Sequence, residues 1–306
     1  MDKLLRRILP PRVKTSLRKV PGLSAVGKTD RKLHALQESM RRTMPQLRLA
    51  RFELNILDHC NLRCKGCDHF AAIARERFVS VDNITSDLAR MSEVFDGDVG
   101  RIEVLGGEPL LHPQLGQILT ETRKCFPQTL IQLVTNGILL LQQEQAFWDT
   151  CRENRVVIIV TKYPIDVDYG AIVEMAKNKN VVVEYYGDTG TNKKTSWKVP
   201  LDLSGSQDPR RSFINCSFAN NNVMLMEGRI YTCTVAPNIH IFNEVYGTAI
   251  PVTDADYVDI YKAGGRSEIL DFLSKPKPLC GYCCVGRRSY GLRWERSSRE
   301  MSEWTV

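Results

Sequence analysis

Cys60, Cys64 and Cys67 fall within eight residues of the stretch LDHCNLRCKGCDHF. A closed zinc site needs four ligands, so Asp68 or His69 would have to complete one here. A cubane iron–sulfur cluster asks for something else. Each iron takes one external ligand, and three thiolates leave one iron open to another molecule. Three unremarkable core thiols this close together at a strand end are not how cores are built. Two other stretches place polar groups at turns. In LGGEPLLHP, residues 105–113, Gly106 and Gly107 let the backbone turn and come close to a ligand. Glu108 precedes Pro109, so its backbone is extended and its carboxylate is available to a cationic group. On its own this is a tight strand–loop turn. VTNG, residues 134–137, is similar in kind.

The elements that must position these groups follow from hydrophobic periodicity. Alternation of Phe52, Leu54 and Ile56 predicts a strand over 51–57. Ile84, Leu88, Met91 and Phe95 predict a helix over 81–95. Strands at 101–105, 129–134, 156–161 and 181–186 alternate with helical patterns at 115–126, 141–154 and 169–179. That rhythm predicts parallel βαβ units, as a barrel or as an open sheet. Cys60, Glu108 and Asn136 then each lie just past a strand, at the end of a parallel sheet where ligands bind. Residues 187–215 break the rhythm and read as a linker. Segments 222–226 and 229–235 flank Glu227-Gly228, which predicts a hairpin. Beyond it only a helix over 267–274 is expected.

The combination of CNLRCKGC, GGEPLL and TNG resembles the radical S-adenosylmethionine (SAM) superfamily, over roughly residues 51–186. The resemblance implies a partial (β/α)6 TIM-like barrel with a 4Fe-4S cluster on Cys60, Cys64 and Cys67. SAM binds the open iron and is reductively cleaved to methionine and a 5′-deoxyadenosyl radical. It further implies that Glu108, with Gly106 and Gly107, receives the SAM amino group. Thr135 and Asn136 lie near the cofactor, and Thr161 and Lys162 contact its ribose or carboxylate. Many members carry an aromatic residue before the third cysteine, beside the adenine; here it is Gly66, and His69 or Phe70 is expected to supply that surface.

A second cysteine set is C-terminal. Cys216 is followed by eleven residues, Gly228, four residues and Cys233, and KPLCGYCCVG adds Cys280, Cys283 and Cys284. This pattern resembles the SPASM and twitch extensions, β-hairpin domains that carry auxiliary 4Fe-4S clusters. No cysteine follows Cys284, which implies a single auxiliary cluster, on Cys216, Cys233, Cys280 and Cys283. A structural zinc ion on the same four is the competing reading. Cys284 is read as inert, as an alternative ligand, or as a hydrogen-atom donor, in that order. Cys125 and Cys151 sit in helical patterns and read as core. The resemblance divides the chain into a basic extension (1–50), the barrel (51–205) and the cluster domain with its tail (206–306).

Residues 1–51 hold fourteen Lys and Arg against three Asp and Glu, so the +7 chain is a basic arm on a body of −4. Residues 1–9 can form a short amphipathic helix stopped by Pro10 and Pro11, suited to an anionic membrane surface or an acidic partner. No motif supports nucleic acid. No apolar run approaches the roughly 20 residues of a membrane span, and no signal-peptide core is evident. The expectation is a cytoplasmic protein, or one peripheral at a membrane. The basic tail, with Arg287, Arg288, Arg293, Arg296 and Arg299 beside Tyr290 and Trp294, is either solvated or folded over the barrel mouth to grip an anionic substrate. Asp68 and His69 are candidate catalytic groups at that mouth, together with Cys284; His112 lies near it and reads as structural.

The Cys216–Cys233–Cys280–Cys283 spacing resembles that of the aminocyclitol-oxidising branch of the superfamily. The resemblance implies an oxidoreductase acting on a sugar, aminocyclitol or sugar nucleotide. Its electrons come from a low-potential donor such as flavodoxin or ferredoxin. Peptide modification and epimerisation are the alternatives. A non-catalytic metal protein would require GGEP and TNG to be coincidental.

Overall fold

A computed structural model describes residues 36–186, 195–198 and 200–306. Residues 1–44 and 45–306 are separate units. Of the first, 36–43 are helical, and the amphipathic helix expected over 1–9 lies outside the described residues. No helix among the described residues is long and apolar enough to cross a membrane.

The second unit is an α/β partial barrel. β1 (Phe52–Asn55), β2 (Arg101–Leu105), β3 (Leu130–Thr135), β4 (Val156–Val160) and β5 (Val183–Tyr185) alternate with α1 (Val81–Phe95), α2 (Leu115–Cys125), α3 (Gln145–Glu153) and α4 (Tyr169–Asn178). The eight-stranded sheet has the order β5-β4-β3-β2-β1-β7-β8-β9. Its β7 (Met224–Met226), β8 (Arg229–Tyr231) and β9 (Tyr257–Asp259) come from the C-terminal region. β7 lies parallel to β1, with Glu53 opposite Met224, so the hairpin extends the barrel sheet. Glu227 and Gly228, both at positive φ, make its two-residue turn.

Local sequence accounts for most of these elements. α1 starts where the Ser80 hydroxyl accepts from Asn83 N at 3.2 Å, a cap that contributes about 1 kcal/mol. It ends at Asp96 in the left-handed region, and buries Ile84, Leu88, Met91 and Phe95 against the outer sheet face. That face of β1 is Phe52 and Leu54. By the two-residue period of a strand, Arg51, Glu53 and Asn55 face the lumen.

The expected linker or loop over 187–215 contains regular elements among its described residues. β6 (Thr195–Lys198) pairs with β10 (Ser289–Arg293) in a small second sheet, and α5 (Pro209–Asn215) starts at Asp208, which caps Arg210 N and Arg211 N. Residues 187–194 and 199 of that stretch lie outside the described residues. α6 (Val235–Tyr246) was not expected, and the helix expected over 267–274 is α7 (Arg266–Leu273). α6 is apolar around much of its circumference, with Val235, Ala236, Ile239, Ile241 and Phe242 buried. Such a helix shows little amphipathic period, and packing specifies it.

Candidate active site

The C-terminal ends of β1 to β4 open into one cavity of about 170 Å³, whose lining includes Cys60, Cys64, Cys67, Glu108, Asn136 and Thr161. Each group is placed by backbone contacts between neighbouring strand ends. Gly107 N donates to Leu57 O at 3.0 Å and Glu108 N to His59 O at 3.1 Å. A Cβ on Gly107 would stand 1.8 Å from His59 O, and one on Gly106 would stand 2.3 Å from Leu57 O. The glycines are therefore needed because the GGE turn lies directly against the cysteine loop and latches it. Both glycines also line the cavity, where the sequence reading places close approach to a ligand.

Glu108 is 1% exposed. Its carboxylate accepts from Thr135 Oγ1 at 2.6 Å, Asn136 N at 2.9 Å and Leu110 N at 3.1 Å. Burial pushes its carboxyl up to about 7, against the opposing pull of those hydrogen bonds. A carboxylate offers about four acceptor positions, so one remains for a cation. Thr135 Oγ1 also accepts from Gly137 N at 3.0 Å. Asn136 Nδ2 donates to Asn61 Oδ1 at 2.7 Å, which ties β3 to the cysteine loop.

None of the ten cysteines is in a disulfide. Burial first, then the charge of Glu108, pushes the Cys60 thiol up, so a thiolate there calls for cationic compensation. N–H donors already face the sulfurs: Leu62 N is 3.3 Å from Cys60 Sγ and Trp294 Nε1 is 3.2 Å from Cys64 Sγ. Asp68 and His69 line the same cavity, 3.4 Å apart. Burial alone would lower the His69 imidazole, but Asp68 and Cys67 hold it well above its usual value. Ligand atoms of Cys67, Asp68 and His69 lie within 4.8 Å of one another, so the two side chains stand beside the sulfur and also border the open space.

Several residues missed by sequence reasoning complete the cavity. Arg51 reaches Glu103 at 3.0 Å, Asn221 O at 2.7 Å and Asn222 Oδ1 at 2.9 Å. Asn222 Nδ2 and Thr234 Oγ1 donate to Glu53 at 2.8 and 3.1 Å. Burial pushes the Glu53 carboxyl up to about 7, with His69 pulling the other way. Tyr163 and Tyr186 form further wall. The signal was present in and just before β1: the polar Arg51, Glu53 and Asn55 alternate with the apolar set.

Other expected residues lie elsewhere. Phe70 is 1% exposed and packs on Phe242 and Trp304, with ring centroids 5.5 and 6.1 Å away. It supplies core and not an adenine surface, because a ring in an apolar cluster gains more than one left at a wet mouth. Lys162 sits over the Tyr185 ring at 3.7 Å and is not among the residues lining the cavity. Cys284 lines neither cysteine cavity; its backbone N donates to Pro200 O at 3.0 Å. His112 is buried, held between Val79 O and Gln114 N.

Cys216, Cys233, Cys280 and Cys283 line a second, smaller cavity of about 30 Å³, with Phe218, Ala219, Val235 and Leu279. Burial pushes the Cys233 thiol up to about 12 and Cys280 up to about 11. Backbone N–H groups of Val235 and Ala236, in the first turn of α6, pull Cys233 the other way. Arg288 Nη2 is 3.4 Å from Cys216 Sγ. The tail does fold back onto the cysteine loop, yet none of its arginines lines the barrel cavity. Arg288 is engaged by Ser217 at 2.8 Å and by Cys216, while Arg287, Arg293, Arg296 and Arg299 are exposed, so the solvated alternative for the tail arginines fits better than a grip on an anionic substrate.

The partial α/β barrel brings three cysteines, a buried glutamate and an Asn-bearing strand end around one cavity, a set of groups suited to a metallocofactor with a small molecule beside it. Residues 54–183 match the family described as the Radical SAM superfamily. The family implies a 4Fe-4S cluster and SAM, and the three thiols with N–H donors facing two of them fit that group. GTP 3′,8-cyclase 1 of Mycobacterium tuberculosis is 31% identical over 112 residues, which are 34% of this chain and 29% of that protein. GTP 3′,8-cyclase of Staphylococcus saprophyticus is 29% identical over 104 residues, 31% and 29% of the two chains. The chain thus spans under a third of the length of these relatives. Among solved structures, BtrN in complex with AdoMet and 2-DOIA has a TM-score of 0.47 at 16% identity, covering 86% of this chain and 100% of that one. Streptococcus suis SuiB bound to precursor peptide SuiA has a TM-score of 0.38 at 12% identity, covering 51% and 36%.

Proposed function

We propose that this chain is a radical SAM oxidoreductase acting on a small hydroxyl-bearing molecule: a sugar, aminocyclitol or sugar nucleotide. The observation that carries the reading is the polar floor of the cavity. Arg51, Glu53, Glu103 and Asn222 are tied to one another in the cavity that the three cysteines also line. Cys60, Cys64 and Cys67 would hold the SAM-binding 4Fe-4S cluster, and Cys216, Cys233, Cys280 and Cys283 the auxiliary one in a twitch-like arrangement. When bound, these groups supply the electron that splits SAM into methionine and a 5′-deoxyadenosyl radical, and a sink for the electron released as a substrate carbinol becomes a ketone.

The chain's own residues do the rest. Glu108 retains an acceptor position for the SAM ammonium, and its burial makes that charge pair strong. Asp68 and His69 border the space beside Cys67 and suit hydrogen bonding to substrate hydroxyls or acceptance of the carbinol proton. Thr161 forms wall at the end of β4. Glu53 and Asn222 present polar atoms at the floor, where an unpaired substrate hydroxyl would otherwise cost 1–3 kcal/mol or so. Arg51 is already satisfied by Glu103, Asn221 and Asn222, and the imidazole of His69 is paired with Asp68. That weighs against a triphosphate as substrate and favours a polyol.

The test uses anaerobically reconstituted protein, reductant and SAM against a panel of sugars, aminocyclitols and sugar nucleotides. The expected result is 5′-deoxyadenosine together with a product two hydrogens lighter by mass spectrometry. A product of unchanged mass points to epimerisation. Turnover only on a peptide would replace the carbohydrate reading with peptide modification. Ferredoxin or flavodoxin replacing dithionite is the matching test of the electron donor.

A further inference from the structure

The C-terminal segment crosses the cysteine loop as a strap. Lys65 N donates to Glu295 O at 3.0 Å and Ser297 N to Arg63 O at 2.9 Å, with Cys64 and Arg296 forming an antiparallel bridge. Downstream, Trp304 Nε1 donates to Cys67 O at 2.8 Å. This pairing fixes the Trp294 indole. One face of its surroundings is Tyr163, edge-on at 5.7 Å between ring centroids. Its Nε1–H points at Cys64 Sγ, 3.2 Å away. An indole N–H is donor only, and a thiol is a weak acceptor. A half-buried Trp held at both ends of its segment with its one polar atom on that sulfur is suited to a thiolate.

We infer that Trp294 is a positioning residue that raises the reduction potential of the cluster held by Cys60, Cys64 and Cys67, through its N–H···S bond to Cys64. The inference rests on the radical SAM reading of that loop. The reduced form of a cluster carries one more negative charge, shared over its sulfurs. A fixed donor therefore stabilises the reduced form more than the oxidised one, and potentials respond to hydrogen bonds on sulfur and to solvent exposure. The indole ring also keeps water from Cys64, which by itself disfavours the more charged reduced form; Trp294→Phe keeps a ring there, so the comparison isolates the N–H. The donor comes from a residue 230 positions along the chain from the loop it serves.

The experiment uses the full chain, reconstituted anaerobically and carrying 15N-indole tryptophan. In pulsed EPR of the reduced protein, the signal that changes on SAM addition should show coupling to an indole 15N. Trp294→Phe keeps an aromatic ring and removes the N–H. With iron and sulfide at wild-type levels, it should lose that coupling, and its midpoint potential in an EPR-monitored titration should shift negative. Absence of the coupling in labelled wild type, its survival in Trp294→Phe, or an unchanged midpoint potential overturns the inference. If Trp294→Phe does not take up iron, the coupling in Trp304→Phe decides, since that variant removes the other indole N–H at the loop, the one on Cys67 O, and must keep the coupling. Failure of the underlying reading looks different: no SAM-responsive signal arises in the wild type at all.

Discussion

The chain builds two cysteine nests from opposite specifications. The barrel nest has three cysteines beside about 170 Å³ of space walled by Arg51, Glu53, Asp68, His69, Glu103 and Asn222. The C-terminal nest has four cysteines around about 30 Å³ walled by Phe218, Ala219, Val235, Ala236 and Leu279. A missing ligand goes with room and polar partners. The four-cysteine set goes with little room and a mostly apolar wall, with Ser212, Thr232, Asp256, Lys277 and Arg288 also lining it. Both nests nonetheless take one N–H from the same C-terminal segment, the neutral Trp294 on Cys64 and the charged Arg288 on Cys216. The difference teaches where a small molecule enters: an exchangeable site needs solvating groups within reach, and a closed one is more stable dry.

Removing ligands is the strongest way to break this comparison. Cys64→Ala should abolish 5′-deoxyadenosine formation while the C-terminal nest keeps its metal, read by iron analysis. Cys283→Ala should empty the C-terminal nest and stop substrate turnover, yet leave SAM cleavage measurable. If Cys283→Ala halts SAM cleavage as completely as Cys64→Ala, the two nests do not have separate roles.

Gly107→Ala tests the latch. Its Cβ would collide with His59 O at 1.8 Å, so the cysteine loop must move. Loss of metal from the barrel nest alone, with stability lower by about 3 kcal/mol, is expected from iron analysis and thermal melts. A variant with normal iron and melting temperature would show that the GGE turn does not hold the loop.

The polar nest also carries a pH dependence. Burial raises the Glu53 carboxyl to about 7, above its value in the unfolded chain, so the fold favours the protonated form. That stability is fully present below the unfolded value near 4.5 and is lost as pH rises toward about 7. The change is on the order of 3 kcal/mol. Glu108, also raised to about 7, contributes with the same sign. Melting temperatures of metal-free Glu53→Gln should therefore fall less than those of wild type between roughly pH 5 and 8. Parallel curves would remove Glu53 from the account.

The smallest effect belongs to the outer edge of the strap. Lys65 and Glu295 pair at 2.7 Å with side chains 48% and 53% exposed, and such pairs contribute under about 1 kcal/mol. Glu295→Gln should leave iron content and melting temperature nearly unchanged. A large loss there would mean that the strap hangs on this ion pair and not on its backbone pairing.

Much of the barrel nest was legible in the sequence because its chemistry is local. Cys60, Cys64 and Cys67 share one loop, Gly106 to Glu108 share one turn, and the strand–helix alternation announces the parallel sheet that brings turns to one end. Phe70 was misread because an aromatic in a cofactor loop looks the same whether it faces the cavity or the core. Its place was decided by Phe242 and Trp304, far along the chain. α6 was missed because a helix buried on most sides loses the periodicity that marks one.

What the sequence by itself determined are groups joined by a few covalent bonds: the cysteine spacing, the glycines at the latch, the cap of α1 and the Glu227-Gly228 hairpin. What only the tertiary structure decided are contacts between distant segments. β7 pairs with β1, bringing Asn222 to Glu53; Arg51 spans Glu103 and Asn221; Trp294 reaches Cys64. The physical reason is that hydrogen bonds and packing select partners by position in space. Spacing along a chain predicts that position only within a single element, and which strand comes to lie beside β1 is settled by burying one shared core.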